Sequence, residues 1–330
     1  MSCQRILILG GYGNFGKRIT ETLADTADIT LIIAGRRSAP AQQLQAQLQS
    51  TARACLETAT LDLHAADFET RLAALKPDLV IHTGGPFQGQ DYRVPRACIA
   101  AGCHYIDLAD DRRFVCDISQ LDAQARAAGV LLVSGASSVP GLSSCVIAHY
   151  ADQFSRLSLR RLYFDATIGR RPLANVDIPD LELLPAAYPT VRSVRFQAGL
   201  ELGLLHYGMW LMAGLARIGL VRDWSRWSKP IVRASEWFIR WGTDTGGMQI
   251  NLRGLDQQQQ PLHLKWVLGA TEGIGPYIPT LSALILARRL VSGELGERGA
   301  MPCMNLFPLS AFEQEAQGLA IYHQLETHRG

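Results

Sequence analysis

The residues best placed to do chemistry stand at the ends of apolar runs. In RILILGGYGNFG (5–16), Gly11, Gly13, Asn14, Phe15 and Gly16 follow the aliphatic run Ile6–Leu9 and precede the helical pattern of KRITETLA. Gly11, Gly13 and Gly16 fit G-x-G-x-x-G, in which the glycines permit a tight turn, close approach of backbone to a pyrophosphate, and close packing of helix on strand. The helix start would add free N–H groups and the positive end of its dipole. A second apolar run, Asp28–Gly35, ends at Arg36 and Arg37, and Arg36 lies 20 residues beyond Gly16. An acidic residue there would hold a ribose 2′-hydroxyl, whereas guanidinium groups can grip a 2′-phosphate. The position therefore points to NADP rather than NAD, the alternative being two solvated loop arginines.

Further candidates follow the later runs. Asp62 closes the run Leu56–Leu63, where it could sit near an adenine or cap the next helix. Leu79–Thr83 runs into Gly84, Gly85, Pro86 and Phe87, a backbone that a ligand can approach closely. His82, inside that run, reads as a hydrogen-bonded core histidine. Asp107, Asp110 and Asp111 cluster around the end of HYIDL, and such a group can work as acid and base once neighbours raise one pKa. Asp110 and Asp111 serve equally well as helix caps, which leaves Asp107 the better candidate. Ser138, Pro140 and Gly141, after the strand Val130–Ser134, look like a helix start that could contact an anion or a ribose. Glu272 and Tyr277 are the reactive side chains of the loop TEGIGPYIPT, a candidate lid or return crossing towards the first domain.

The elements that must position these residues alternate strand and helix as far as about residue 150, which predicts a doubly wound parallel sheet. The pattern then changes. Leu157–Ile168 alternates like a half-exposed strand, 170–189 is irregular and Pro-rich, and Gly246–Gly254 with Leu262–Ala270 reads as a hairpin turning at Asp256–Gln260. The expected division is a Rossmann domain over 1–150, a substrate or dimerisation domain over 151–275, and a C-terminal return onto the first domain over 276–330. Leu202–Ala216 holds 15 residues without a formal charge, short for a membrane span. A buried or subunit-interface helix is expected there, with lipid contact or an apolar substrate pocket as alternatives. Ile231–Trp241 is aromatic-rich and helix-like.

The 330 residues suffice for two domains, and 32 basic against 30 acidic residues with no long like-sign run suggest no nucleic-acid partner. Seven scattered cysteines with no C-x-x-C pair favour free thiols in a cytoplasmic setting, with no metal site expected. The N-terminus enters a strand directly, without signal-peptide composition.

GGYGNFG, AGR, TGGPF, ACIAAGCHYIDLADD and SSVPGLSS together resemble the saccharopine dehydrogenase family, in particular its saccharopine dehydrogenase-like oxidoreductases. The resemblance covers residues 1–150, and GPYIPTLSALILARRL resembles the family's return to the cofactor domain. It implies α/β architecture: an N-terminal Rossmann sheet, a second α+β domain, a C-terminal return, NAD(P)-dependent chemistry at carbon–nitrogen bonds, and frequent homodimers. By position it implies Gly11, Gly13, Asn14, Phe15 and Gly16 as the phosphate loop, Arg36 and Arg37 as the 2′-phosphate site, Gly85, Pro86 and Phe87 on the nicotinamide side, and Asp107 as a family aspartate. The reading that results is an NADP-dependent oxidoreductase acting on a small-molecule carbonyl or imine, with Asp107, Asp110, Glu272 and Tyr277 as candidate catalytic groups. A second reading is a non-catalytic NADP-binding sensor or scaffold that meets a partner or membrane surface through its apolar helix.

Overall fold

The computed structural model describes residues 4–159, 172–221, 223–238, 241 and 245–329. The strands are β1 (Gln4–Leu9), β2 (Ile29–Gly35), β3 (Cys55–Thr60), β4 (Leu79–His82), β5 (His104–Asp107), β6 (Leu131–Ser134), β7 (Phe154–Leu159), β8 (Ala174–Asn175), β9 (Gln197–Ala198), β10 (Gly246–Asp256), β11 (Pro261–Ala270), β12 (Gly299–Pro302) and β13 (Ile321–Arg329). The helices are α1 (Asn14–Leu23), α2 (Ser38–Leu48), α3 (Phe68–Ala74), α4 (Arg93–Ala101), α5 (Arg112–Cys116), α6 (Asp122–Ala127), α7 (Ser143–Ala151), α8 (Asp180–Ala187), α9 (Gly203–Arg217), α10 (Ser228–Glu236), α11 (Ile278–Val291) and α12 (Leu309–Glu315).

Aliphatic runs without alternation need cover on both faces, which a parallel sheet flanked by helices supplies. Seven strands accordingly form a parallel sheet in the order β12-β6-β5-β4-β1-β2-β3. All seven residues of β2 are buried. The chain reverses direction across the sheet between β1 and β4, and ligands of such sheets bind outside the carboxyl ends of the strands at that point.

A four-stranded antiparallel sheet, β13-β11-β10-β7, forms the second layer system, with Gly246 opposite Ala270 in the hairpin register. The doubly wound sheet and the expected hairpin are thus both present. The strand reading at 157–168 continues past Leu159 into residues outside those described. One continuous apolar core joins the two sheets: it runs from Ile6 and Ile8 through α11 to Leu264, Trp266 and Leu268.

Two expectations are corrected. Within the C-terminal return, β12 does join the parallel sheet, yet β13 pairs with β11 in the other sheet, since its half-exposed pattern suits an edge strand and not a strand buried on both faces. The apolar helix expected to be buried or at a subunit interface, α9, is not buried within the chain, where His206 is its one buried residue. Leu204, Tyr207, Met209, Trp210 and Leu211 are exposed and Leu205, Met212 and Leu215 only half-buried, so its sequence is apolar without being core.

Candidate functional site

The loop between β1 and α1 is fixed by backbone. Gly10 has φ +89, the left-handed region, and its carbonyl accepts a hydrogen bond from Gly13 N at 2.8 Å. A Cβ on Gly16 would lie 2.1 Å from that same carbonyl oxygen, so only glycine lets α1 pack there. Helix α1 begins at Asn14 with no side-chain cap and no acidic residue in its first turn, which leaves its N–H groups and dipole to a bound anion. Thr83 donates from Oγ1 to Leu9 O (3.0 Å) and Gly10 O (3.2 Å), which ties the end of β4 to the loop.

These elements frame a cavity of about 770 Å³ across the ends of β1, β2 and β4. Gly13, Asn14, Arg36, Asp62, Gly84, Gly85 and Pro86 of the expected cofactor set all face it. Asp62 lies beyond β3, where its carboxylate accepts from His64 N at 3.1 Å in a local turn. Gln90 holds the Gly84–Pro86 turn open by donating to Gly84 O (2.9 Å) and Pro86 O (2.6 Å).

The other expected residues support the cavity from behind. Gly11 and Gly16 pack loop and helix, Phe15 packs on the core, and Phe87 is buried edge-on against His82 at 5.0 Å. Arg37 precedes α2, and its backbone N–H donates to the Tyr12 hydroxyl at 2.9 Å. Gly10, Tyr12, Thr83 and Gln90 escaped the sequence reading. A G-x-x-G-x-x-G reading of GGYGNFG would have found Gly10; the other three act through contacts no local motif encodes.

The four catalytic candidates are not brought together. Asp107 is fully buried and lines no described cavity: its Oδ1 accepts from Ala109 N (2.9 Å), Gly135 N (2.8 Å) and Ser134 Oγ (3.0 Å), knotting the ends of β5 and β6. Burial raises its pKa to about 6, opposed by these bonds. Asp110 is exposed and accepts from Gln88 Nε2 at 3.2 Å, which places it at the rim of the first cavity; Asp111 caps α5 through Phe114 N at 2.9 Å. Glu272 is exposed at φ +57. The Tyr277 ring lies 5.1 Å beneath the Arg18 guanidinium, and neither residue of the loop lines a described cavity. His82 is the neutral core histidine expected: its Nδ1 lies 3.1 Å from the Tyr105 hydroxyl and burial lowers its pKa to about 3. The Ser138–Gly141 turn is packed by protein at its Gly141 end, for Ser282 Oγ donates to Ser137 O at 2.9 Å and a Cβ on Gly141 would meet Ser282 Oγ at 3.0 Å, while Ser138 lines a second cavity.

A second cavity of about 570 Å³ opens beyond β6, between Ser138 and Val139, Phe196, the start of β10, and Pro276 and Ile278. The carboxyl end of β6 stands two strands from that of β4, roughly 10 Å at ordinary strand spacing. Val139, Phe196, Met248 and Gln249 also border a smaller adjoining hollow that ends on Asp180 and Asn251. Asp180, Gln249 and Asn251 are all buried. Among the described residues nothing partners Oδ1 of Asp180, either amide atom of Gln249, or Nδ2 of Asn251. Burial pushes the Asp180 pKa up to about 7. The sequence reading passed over these three because they come from α8 and two positions of β10 that only the fold brings together.

The crossover at β1 and β4, the glycine loop and the arginine at its rim define a dinucleotide-binding Rossmann protein with a second domain over the strand ends. Residues 6–133 match the family model described as the saccharopine dehydrogenase NADP binding domain. Over nearly its whole length the chain has the fold of apo histidine-tagged saccharopine dehydrogenase (L-Glu forming) from Saccharomyces cerevisiae, with TM-score 0.65 and 11% identity over 98% of this chain and 100% of that one. A short-chain dehydrogenase from Sphingobium yanoikuyae in complex with NADPH matches at TM-score 0.30 and 15% identity over 40% of this chain and 71% of that one. No curated protein matches the chain in sequence. Residues 6–133 thus form an NADP-binding domain similar to that of saccharopine dehydrogenase, and the chain as a whole has that enzyme's fold.

Proposed function

We propose that the protein moves hydride between NADP and a carbonyl or imine carbon of a small, largely apolar molecule bearing one polar group, held in the cavity beyond β6. The observation that carries this reading is the convergence of three buried polar residues with free hydrogen-bonding atoms, Asp180, Gln249 and Asn251, on a pocket whose remaining lining is apolar apart from Ser143 and Arg195. An isolated buried polar group costs free energy unless something pairs with it.

In this reading Gly10, Gly13 and Asn14 receive the pyrophosphate, Arg36 the 2′-phosphate, and Gly84–Pro86 the nicotinamide side. NADP, when bound, supplies or accepts the hydride. The chain orients the substrate and excludes water: Val139, Phe196 and Met248 enclose its apolar body, while Gln249 and Asn251 fix its polar group. Asp180, with a pKa near 7, is populated in both protonation states at neutral pH and can exchange a proton with a substrate oxygen or nitrogen.

Titration with NADPH and with NADH, followed by nicotinamide fluorescence, tests the cofactor side, and NADPH should bind more tightly. A screen of apolar aldehydes and ketones, and of oxo acids with amines, for oxidation of bound NADPH tests the substrate side. Asp180→Asn should lower kcat at least ~10-fold with NADPH affinity unchanged. Unchanged turnover in both Asp180→Asn and Gln249→Ala would remove the pocket from the reaction.

A further inference from the structure

The apolar helix α9 and the segment after it are unused by the cofactor and substrate cavities. Leu204, Tyr207 and Leu211 recur at i, i+3 and i+7 on α9 with Trp210 beside them, a stripe that would normally face a core. All four are exposed, Trp210 to 72%. Ile218, Leu220, Trp227, Trp237 (83%) and Trp241 (67%), in the segment that follows, are exposed as well. Trp224 Nε1 donates to Met212 O at 3.0 Å, which ties the segment after α9 back onto the helix. Five of the six tryptophans of the chain lie between 210 and 241, and the sixth, Trp266, is buried in the core.

Charge distinguishes what this surface meets. By sequence, residues 217–241 hold six basic residues (Arg217, Arg222, Arg226, Lys229, Arg233 and Arg240) against Asp223 and Glu236. The remainder of the chain, with the other 26 basic and 28 acidic residues, is slightly acidic. Arg217, Arg226 and Arg233 are exposed. A second copy of this chain would set the same basic residues against one another across a two-fold axis, whereas anionic headgroups complement them. Tryptophan with its apolar body and polar N–H, aliphatic residues on one stripe and arginines around them is the composition of a helix that lies in a bilayer interface. No described helix is long and apolar enough to cross a membrane, so the contact is in the plane of the surface.

We propose that residues 203–241 dock the protein on an anionic lipid bilayer, with Trp210, Trp237 and the α9 stripe entering the headgroup boundary and Arg217, Arg226 and Arg233 contacting lipid phosphates. The test is co-sedimentation of the full chain with mixed phosphatidylglycerol–phosphatidylcholine vesicles and with pure phosphatidylcholine vesicles, with tryptophan emission recorded on each. The expected result is partition favouring the anionic vesicles by ~10-fold or more, weakened by salt, with a blue shift of emission. Arg217→Glu with Arg226→Glu and Arg233→Glu abolishes that preference, and Trp210→Asp with Leu211→Asp abolishes partition, while NADPH binding reports that each variant is folded. Should the double variant fail to fold, Trp237→Asp at an exposed turn position gives the same readout. Two results overturn the proposal: folded wild-type protein that leaves anionic vesicles unbound, and concentration-dependent self-association that shifts the emission without lipid and gives no vesicle binding. The outcome is independent of turnover.

Discussion

Ile6–Leu9 in β1 and Leu204–Leu211 in α9 are both apolar stretches, yet they have opposite fates. Each of the four residues in β1 is buried, with Leu7 wholly inaccessible, while Leu211 is 59% exposed. A strand leaves its N–H and C=O groups unpaired until neighbours flank it, so β1 acquires β2 and β4 on its edges and helices on its faces. A helix satisfies its own backbone and can form without covering its apolar face. Apolar sequence therefore ensures burial within the sheet and leaves it undecided for an isolated helix.

The strongest way to break this comparison is at the seam between β1 and α1. Gly16→Val should destabilise the protein by about 4 kcal/mol or more and abolish NADPH binding, because its Cβ has no room beside Gly10 O; denaturant unfolding and cofactor titration check both. Leu7→Ala should cost about 2–5 kcal/mol by the same unfolding assay. Arg36→Ala should weaken NADPH relative to NADH by roughly 10- to 150-fold, the worth of a charge-assisted bond of about 1.5–3 kcal/mol. Arg37→Ala, whose side chain does not line the cavity, should leave that ratio within about threefold. Equal losses for both cofactors in Arg36→Ala would remove the 2′-phosphate assignment.

The buried pocket adds a pH test of intermediate size. Asp180 has a folded pKa near 7 against an ordinary 3.8, so the fold favours its protonated form. That contribution is complete below about pH 4 and is lost as pH rises through about 7. Asp180→Asn should therefore gain stability on the wild type between pH 4 and 7, by at least about 1 kcal/mol at the upper end. A parallel pair of stability curves would mean that Asp180 is ionised throughout. The smallest effect belongs to the other side of the comparison: Leu211→Ala should change stability by less than about 0.5 kcal/mol. A loss near that of Leu7→Ala would show that α9 is packed in solution.

The legible features share one property, that neighbours in sequence suffice to encode them. The strand, glycine turn and helix at 5–24, the arginine at the end of β2, and the hairpin around Asp256–Gln260 each depend on short-range geometry. Asp107 is legible as an important carboxylate, whereas the bonds that fix it are not: its Oδ1 accepts from Ser134 and Gly135 at the end of β6, 27 and 28 residues away. The packing of Gly141 is likewise illegible locally, since the residue against it, Ser282, comes from α11.

The sequence by itself determined that a parallel sheet begins the chain, that a glycine turn leads from its first strand into a helix, and that an arginine closes its second strand, because backbone sterics and hydrogen bonding act over a few residues. Only the tertiary structure decided that Asp107 is a knot between strands, that Asp180, Gln249 and Asn251 meet in one pocket, and that the Leu204, Tyr207 and Leu211 stripe of α9 stands exposed. Each of these depends on which distant surfaces come into contact, and the free energy of such contacts is set by partners that local sequence does not name.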